Sequence, residues 1–484
     1  MVSLKQEEYI QFPILKKDRQ DKAERITLNL EYRNIFNMKK LSILIAMIVL
    51  TVILGLAIYL QRGKIFRVAN KKFFNINFVT SSVTSLHKLN VSSTWIIADV
   101  HTHINGCSMD LTPEDLVKNM QKNKVDITSF LIWSKGLSNP AQRALITGKD
   151  SPASKSGNIL HADVEISQVP AAKMGHLILL GLQSLGFSNK PDVYPISDIP
   201  IVEWAAKQNP PVIVGQAHGQ WALRGEDFSV VAFDTPYDFP IHVARGHIDF
   251  IELIEWYGEK GGNDVSILNH VVVKLLNSGF RITFASGSDY TCLSEEIGST
   301  KTHALIEGEL SYFAFLDAIL KGRTTITDEV ERDDWVSITI NGSELGSEIQ
   351  AKAGEVLNIE IESNLREESE VEIISNGKIL SKVPMSMGKD KKQINLSLNS
   401  SGWFIARTKH TLTSPIYVVV DKKLIRVSAQ DACYLVRYVD NLTSKVKSGI
   451  LDLGEDESLT LSAYAEARVE FMKRFKEAGG LKCE

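Results

Sequence analysis

The sequence predicts an α/β fold, preceded by a membrane-spanning helix and followed by a smaller all-β unit with a helical end. Three observations carry that reading. An uncharged apolar run lies near the start, a long alternation of short apolar segments with amphipathic ones comes next, and period-two patterning takes over after residue 330. The 484 residues suggest about three structural units at roughly 150 residues each. With 44% hydrophobic and 23% charged residues, 31 Gly and 14 Pro, the chain is globular in composition, which excludes collagen-like, disulfide-scaffold and wholly disordered classes.

The net charge of −4 hides an asymmetry. Residues 1–40 carry nine basic and six acidic side chains, and residues 61–94 carry six basic and none acidic, so the rest of the chain is left at −13. An acidic body of this kind gives no reason to expect a nucleic-acid partner.

The first element is the run LSILIAMIVLTVILGLAIYL at 41–60. Twenty helical residues span roughly 30 Å, the thickness of a bilayer core, so the run is expected to cross a membrane once. A buried core helix would show a polar stripe, and a cleaved signal peptide would be shorter and followed by a small-residue cleavage site. Met38-Lys39-Lys40 resembles the start of an exported or anchored protein, which leaves two readings of residues 1–37: a mis-assigned upstream extension, or a short tail. The basic residues on the two sides are nearly balanced, and a start at Met38 would tip the positive-inside rule towards a cytoplasmic body, whereas the short basic start before the apolar run favours export, so the body is expected outside the cytoplasm. Residues 61–94 then read as a basic stalk near anionic headgroups. The four cysteines, Cys107, Cys292, Cys433 and Cys483, are scattered without metal-type pairing.

Between 95 and 330, candidate strands are 95–100, 125–133, 158–165, 176–182, 211–218, 247–256, 281–289 and 302–308. Thr112-Pro113-Glu114-Asp115 opens a helix with a capping residue and a first-position proline, a second helix at 265–278 stops at Gly279, and a third at 311–321 stops at Gly322. The number of strands favours a barrel over an open sheet. From 331 to 425, Val336, Ile338 and Ile340 begin an alternation that recurs at Leu357, Ile359 and Ile361, with Asn376-Gly377 as a hairpin turn, which reads as a small β-sandwich. Residues 426–484 read as helical, capped at Ser428–Asp431, with the stripe Tyr464, Ala467, Phe471 and Phe475 packing on the body.

Chemistry-bearing residues gather at strand ends. His101 and His103 come just after the first strand, two apart and therefore on one side of an extended chain. Glu165, His218 and Asp289 each end a strand, and in barrel enzymes such ends collect at one face. His176 starts its strand, but an antiparallel pairing of 158–165 with 176–182 would bring it to Glu165. Four imidazoles and two carboxylates suit Zn, Mn or Fe. The alternative for each residue is a buried polar group satisfied by the backbone.

The segments D-V-H-T-H at 99–103, H-x-x-x-E at 161–165, G-H-L-I-L-L-G-L at 175–182, G-Q-A-H at 215–218, I-D-F-I-E at 248–252, G-S-D at 287–289 and G-R-T-T-I-T at 322–327 resemble the PHP superfamily of metallohydrolases, and within it the carbaryl-hydrolase (CehA/McbA) branch. The resemblance runs from about Trp95 to the end of the chain. It implies a distorted seven-stranded β/α, TIM-like barrel with a metal site at one mouth. It also implies that His101, His103, Glu165, His176, His218 and Asp289 hold the metal, that Asp99 orients a ligand histidine, and that Glu252 supports the site or serves a structural hydrogen bond, with Glu255 the weaker neighbour.

Two departures from the superfamily pattern, Leu131-Ile132-Trp133-Ser134-Lys135 in place of a Thr-Asp-His element and Asp289-Tyr290-Thr291 without a following histidine, reduce the expectation to one or two divalent ions. Lys135 then either contributes positive charge or is a solvated loop residue. His161 and Lys135 are candidates for proton transfer or oxyanion stabilisation. Trp133 and Trp221 either line a pocket for a ring or pack. The expected activity is hydrolysis of an ester, amide, carbamate or phosphoester in a small-molecule or polymer substrate. A phosphoesterase and a degenerate, glycan- or polymer-binding barrel are the competing readings.

Overall fold

A computed structural model of the chain describes residues 93–104, 111–133, 139–167, 175–185, 197–219, 237–253, 271–294, 296–328 and 333–483. The expected tail, the apolar run at 41–60 and nearly all of the stalk lie outside the described residues. Among the described residues no helix is long and apolar enough to cross a membrane.

Nine strands build the first part of the sheet: β1 (Ser93–Thr102), β2 (Ile127–Trp133), β3 (Ile159–Ile166), β4 (Leu177–Leu180), β5 (Ile213–Gln216), β6 (Phe250–Glu252), β7 (Thr283–Ala285), β8 (Thr300–Glu307) and β9 (Thr324–Asp328). Helices α1 (Pro113–Lys122), α2 (Pro140–Arg143), α3 (Ile199–Ala205), α4 (Phe239–Arg245), α5 (Val271–Asn277) and α6 (Tyr312–Lys321) lie between them. Local chemistry sets the helix ends. Thr112 caps α1 in a reciprocal box with Asp115, Ser311 caps α6 through Ala314 N, and Gly322 ends α6 in the left-handed conformation.

The spatial order is β9-β8-β1-β2-β3-β4-β5-β6-β7. Pairs β1/β2, β2/β3, β5/β6 and β6/β7 are parallel, whereas β9/β8, β8/β1, β3/β4 and β4/β5 are antiparallel. The fold is therefore mixed α/β with a large central sheet, and it departs from the TIM-like expectation in its strand directions. Between β3 and β4 the connection 167–176 is shorter than the dozen or so residues a parallel crossover needs. Among the described residues no ladder joins β7 back to β9. The two strands meet through side chains, with Thr324 Oγ1 donating to the Phe284 carbonyl at 2.7 Å.

Each face of this sheet is covered. Tyr312, Phe315, Leu316 and Ile319 of α6 share a buried cluster with Ala98, Leu131, Ile178, Phe250 and Ala285. Leu116 of α1, Ile201 of α3, Ile241 of α4 and Leu275 of α5 belong to another cluster. Each such buried Leu, Ile or Phe contributes about 1.5–3 kcal/mol through removal from water. Gly215 admits the Phe250 ring into this packing, because a Cβ there would lie 2.0 Å from the ring.

The second half of the strands comprises β10 (Trp335–Ile340), β11 (Glu348–Ala351), β12 (Val356–Leu365), β13 (Ser369–Ser375), β14 (Lys378–Met385), β15 (Gly388–Ser397), β16 (Gly402–Arg407), β17 (Thr411–Thr413) and β18 (Ile416–Val420). Strands β10, β12 and β15 form a separate three-stranded sheet, and the others join the large sheet where β17 pairs with β9. Alternating Val336, Ile338, Ile340, Ile359, Ile361, Phe404 and Val418 fill the space between the two layers. Asn376 and Gly377, both at positive φ, turn β13 into β14. The chain then forms α7 (Ala429–Lys447) and α8 (Glu457–Glu477), with Tyr464, Ala467, Phe471 and Phe475 buried along one stripe. A disulfide joins Cys433 to Cys483, and Cys292 is also disulfide-bonded.

Candidate metal centre

A bulge in β1 aims the two imidazoles. Asp99 stands opposite Thr128 while Thr102 stands opposite Phe130, so β1 carries one residue more than β2 between these points. The extra residue breaks the two-residue alternation and puts Asp99 on the face opposite to His101 and His103. The two imidazoles converge, with His101 Nε2 3.2 Å from His103 Nε2.

Hydrogen bonds at the far ring nitrogens orient both rings. His101 Nδ1 lies 3.0 Å from each oxygen of Glu252, and His103 Nδ1 donates to the Leu131 carbonyl at 2.9 Å. Each contact leaves Nε2 facing the carboxylates of Glu165 and Asp289. From His101 Nε2 these oxygens lie at 3.6 and 3.5 Å, and from His103 Nε2 at 3.5 and 3.1 Å. His218 Nε2 is 3.7 Å from Glu165 and 4.0 Å from Asp289.

Glu165 and His176 meet as the antiparallel pairing of β3 with β4 requires, with His176 Nδ1 2.8 Å from Glu165 Oε1. Ser167 donates to the other oxygen of Glu165 at 3.1 Å. His218 and Asp289 both hold positive φ, 51° and 48°, a conformation strained for residues with a Cβ. The Glu252 carboxylate accepts the His218 backbone N–H at 3.1 Å, which stabilises one of these two turns.

Burial dominates the electrostatics and the charged neighbours oppose it. Burial pulls the His101 imidazole down, yet Glu252, Asp289 and Glu165 outweigh it and hold the ring well above its ordinary value. Burial pushes Glu165 up, but His176 and His101 hold it well below the carboxylate range, and His101, His103 and His218 lower Asp289 against the same penalty.

Two triads, His101-His103-Asp289 and His101-Glu165-His218, have ligand atoms within 4.8 Å of one another, all buried. A cation bonded to such atoms at roughly 2.1 Å would hold neighbouring ligands roughly 3.0–3.4 Å apart, close to the separations at His101 and His103. Imidazoles mixed with carboxylates are a donor set compatible with a divalent transition metal.

The other residues singled out from the sequence stand away from the imidazole cluster, beside it, or outside the described residues. Asp99 touches no imidazole ring of the cluster. It accepts from Ser288 N, Ser288 Oγ, Gly298 N and His101 N, thereby anchoring the Gly287-Ser288-Asp289 loop, and burial pushes it up to about 6. Glu252, not Asp99, contacts the His101 ring, because the bulge turns Asp99 away. His161 lies elsewhere. It is paired with Asp163 at 3.1 Å and stacked on Tyr312 with centroids 4.0 Å apart, four residues or roughly 13 Å of strand from Glu165. Lys135, Glu255 and Trp221 lie outside the described residues. Trp133 is buried at the end of β2, opposite Glu165 in register.

The sequence pointed to Gly287 only as part of the G-S-D segment, and gave no sign of the Leu131 carbonyl or Ser167. A Cβ on Gly287 would lie 2.4 Å from His101 N, so only glycine lets this loop approach β1. No local pattern announces the carbonyl or the serine.

No protein-family model matches the chain, and no curated protein sequence matches it. Among solved structures, it is similar to a two-domain protein from Bacteroides vulgatus described as containing a predicted PHP-like metal-dependent phosphoesterase, at 11% identity. The match covers 68% of this chain and 99% of that one, with a TM-score of 0.34, which is too low to carry a functional argument.

Proposed function

We propose that the chain is a metal-dependent hydrolase with its centre at the ends of β1, β3, β5 and β7. The observation that carries this reading is the convergence of His101 and His103 Nε2 on the Glu165 and Asp289 carboxylates at 3.1–3.6 Å, all buried. His101, His103, His218, Glu165 and Asp289 hold the ion. His176 holds Glu165 in place at 2.8 Å and would be the imidazole available to a second ion. A divalent metal supplies Lewis acidity, acidifying water and polarising an ester, amide, carbamate or phosphoester. Glu252 fixes the His101 tautomer, Leu131 fixes that of His103, and Asp99 sets the loop that carries Asp289.

The resemblance of motifs to the PHP superfamily and its carbaryl-hydrolase branch supports the same reaction class, and the mixed sheet is read as a distorted barrel of that kind. The membrane anchor at 41–60 is proposed from its hydropathy. Disulfides at Cys433–Cys483 and at Cys292 favour an oxidising compartment and therefore an extracytoplasmic body. Elemental analysis of protein purified without chelator, followed by turnover of aryl esters, carbamates and phosphoesters, tests the proposal. Metal-dependent turnover that is lost in His101→Ala and His218→Ala supports it. Metal-free protein, or full activity in those variants, would overturn it.

A further inference from the structure

A second cluster of ligand-type side chains lies between α3, α4 and α8, outside the centre described above. Asp198 precedes α3 and Asp238 precedes α4, each two residues before a proline. An aspartate at this position normally caps its helix by accepting a backbone N–H. Neither does so here. Both side chains instead turn towards His242, which stands four residues after Asp238 and so on the same face of α4. The three ligand-type atoms lie within 4.8 Å of one another, and all three residues are no more than 1% exposed.

The cluster is short of hydrogen-bond partners. Both oxygens of Asp198, Oδ2 of Asp238 and both ring nitrogens of His242 have none. His242 Nε2 is 2.9 Å from Asp198 Oδ2, but without hydrogen-bond alignment. Tyr464 of α8 donates to Asp238 Oδ1 at 2.7 Å, while Arg245 is committed to Glu203 and Glu466. Two carboxylates and a neutral imidazole left without partners from the protein would be costly, each unsatisfied buried group amounting to roughly 1–3 kcal/mol.

A proton shared between the two carboxyls relieves only part of this. Burial raises both acids, Asp198 to about 7 and Asp238 well above its ordinary value, and lowers His242 to about 4. The imidazole is therefore neutral, with a lone pair to give, and a shared proton leaves it unpartnered. A dipositive ion balances two carboxylates and accepts that lone pair at once. An imidazole nitrogen beside carboxylate oxygens suits zinc better than calcium or magnesium, which take oxygen donors.

We propose that Asp198, Asp238 and His242 form a structural zinc-type cation site that staples α3 and α4 together beneath α8, where Tyr464 fixes Asp238. The site is independent of the hydrolytic reading.

The test uses the full chain, zinc alone as probe, and metal counting by mass spectrometry with zinc X-ray absorption. A His101→Ala/His103→Ala variant is expected to retain one zinc per chain, with a single imidazole in its shell. Adding Asp198→Asn and His242→Gln should remove it. Retention of that zinc after the added substitutions, or its absence from the His101→Ala/His103→Ala chain, would overturn the proposal. Should the fourfold variant fail to fold, the twofold variant still decides: zinc should raise its melting temperature and chelation lower it, and indifference to both would overturn the staple. If the twofold variant binds as much zinc as the parent chain, the strand-end reading fails while the staple stands.

Discussion

His101 Nδ1 lies 3.0 Å from both carboxylate oxygens of Glu252, a residue 151 positions later in the chain, and this contact decides that Nε2 is the nitrogen facing Glu165 and Asp289. The same carboxylate accepts the backbone N–H of His218, whose positive φ it helps to hold. One buried side chain thus contacts donors at the ends of two strands. Glu252→Gln keeps the size and halves the acceptor capacity. It is expected to weaken metal binding roughly 10–100-fold. Competition with a calibrated chelator checks this, and unchanged affinity would remove Glu252 from the centre.

Asp99→Asn should act on stability before chemistry. Its two oxygens accept four hydrogen bonds, and an amide nitrogen facing those donors leaves at least one unsatisfied, which costs about 1–3 kcal/mol. Urea denaturation measures the loss. A variant as stable as the parent but slower in turnover would instead return Asp99 to the reacting groups.

Gly287→Ala tests the close approach of the Gly287-Ser288-Asp289 loop to β1. The added methyl would lie 2.4 Å from His101 N and 2.6 Å from His101 Cβ, so the loop must retreat. Overpacking of this kind costs about 1–3 kcal/mol, and here it displaces Asp289 as well. Reduced stability together with reduced metal occupancy is expected. Loss of stability with full occupancy would show that Asp289 is not needed.

His303 makes stability pH-dependent. Burial, aided by the Lys301 charge, lowers its pKa from 6.5 to about 3. Between these values the unfolded chain takes up a proton that the folded chain refuses. The stabilising contribution is therefore complete above pH 6.5 and falls by roughly 1.4 kcal/mol per pH unit as the pH drops towards 3. His303→Leu should flatten that part of the stability profile, and an unchanged slope would contradict the assignment.

The Cys433–Cys483 bond closes a loop over 50 residues spanning α7 and α8. Chain-entropy accounting gives such a closure about 4 kcal/mol. Replacing both cysteines with serine should lower the midpoint of denaturation accordingly, and reductant should lower it at least as far in the parent chain, because it also opens the disulfide at Cys292. No change in either would mean that the helix packing alone holds the end of the chain.

Much of the fold was legible because its signals are local. Caps at Thr112 and Ser428, the Asn376-Gly377 turn, the stripe on α8 and the positions of the first eight strands all derive from residue types at short spacing. The pairing of Glu165 with His176 was legible too, since a short connection forces neighbouring strands to run antiparallel. Strand direction elsewhere was not legible, because β8 and β1 pair across some two hundred residues and no local pattern records that choice.

By itself the sequence determined which donors are available and that they stand near strand ends. Tertiary structure decided which of them meet. An extra residue in β1 reverses the face of Asp99 relative to His101, and a one-residue slip cannot be read from an alternation that looks uninterrupted. Glu252 became the partner of His101, and Asp198, Asp238 and His242 became a cluster, only through packing between distant elements. Hydrogen bonds and coordination fall off within a few ångströms, whereas sequence patterns report periodicity along the chain, so convergence in space is settled by the fold.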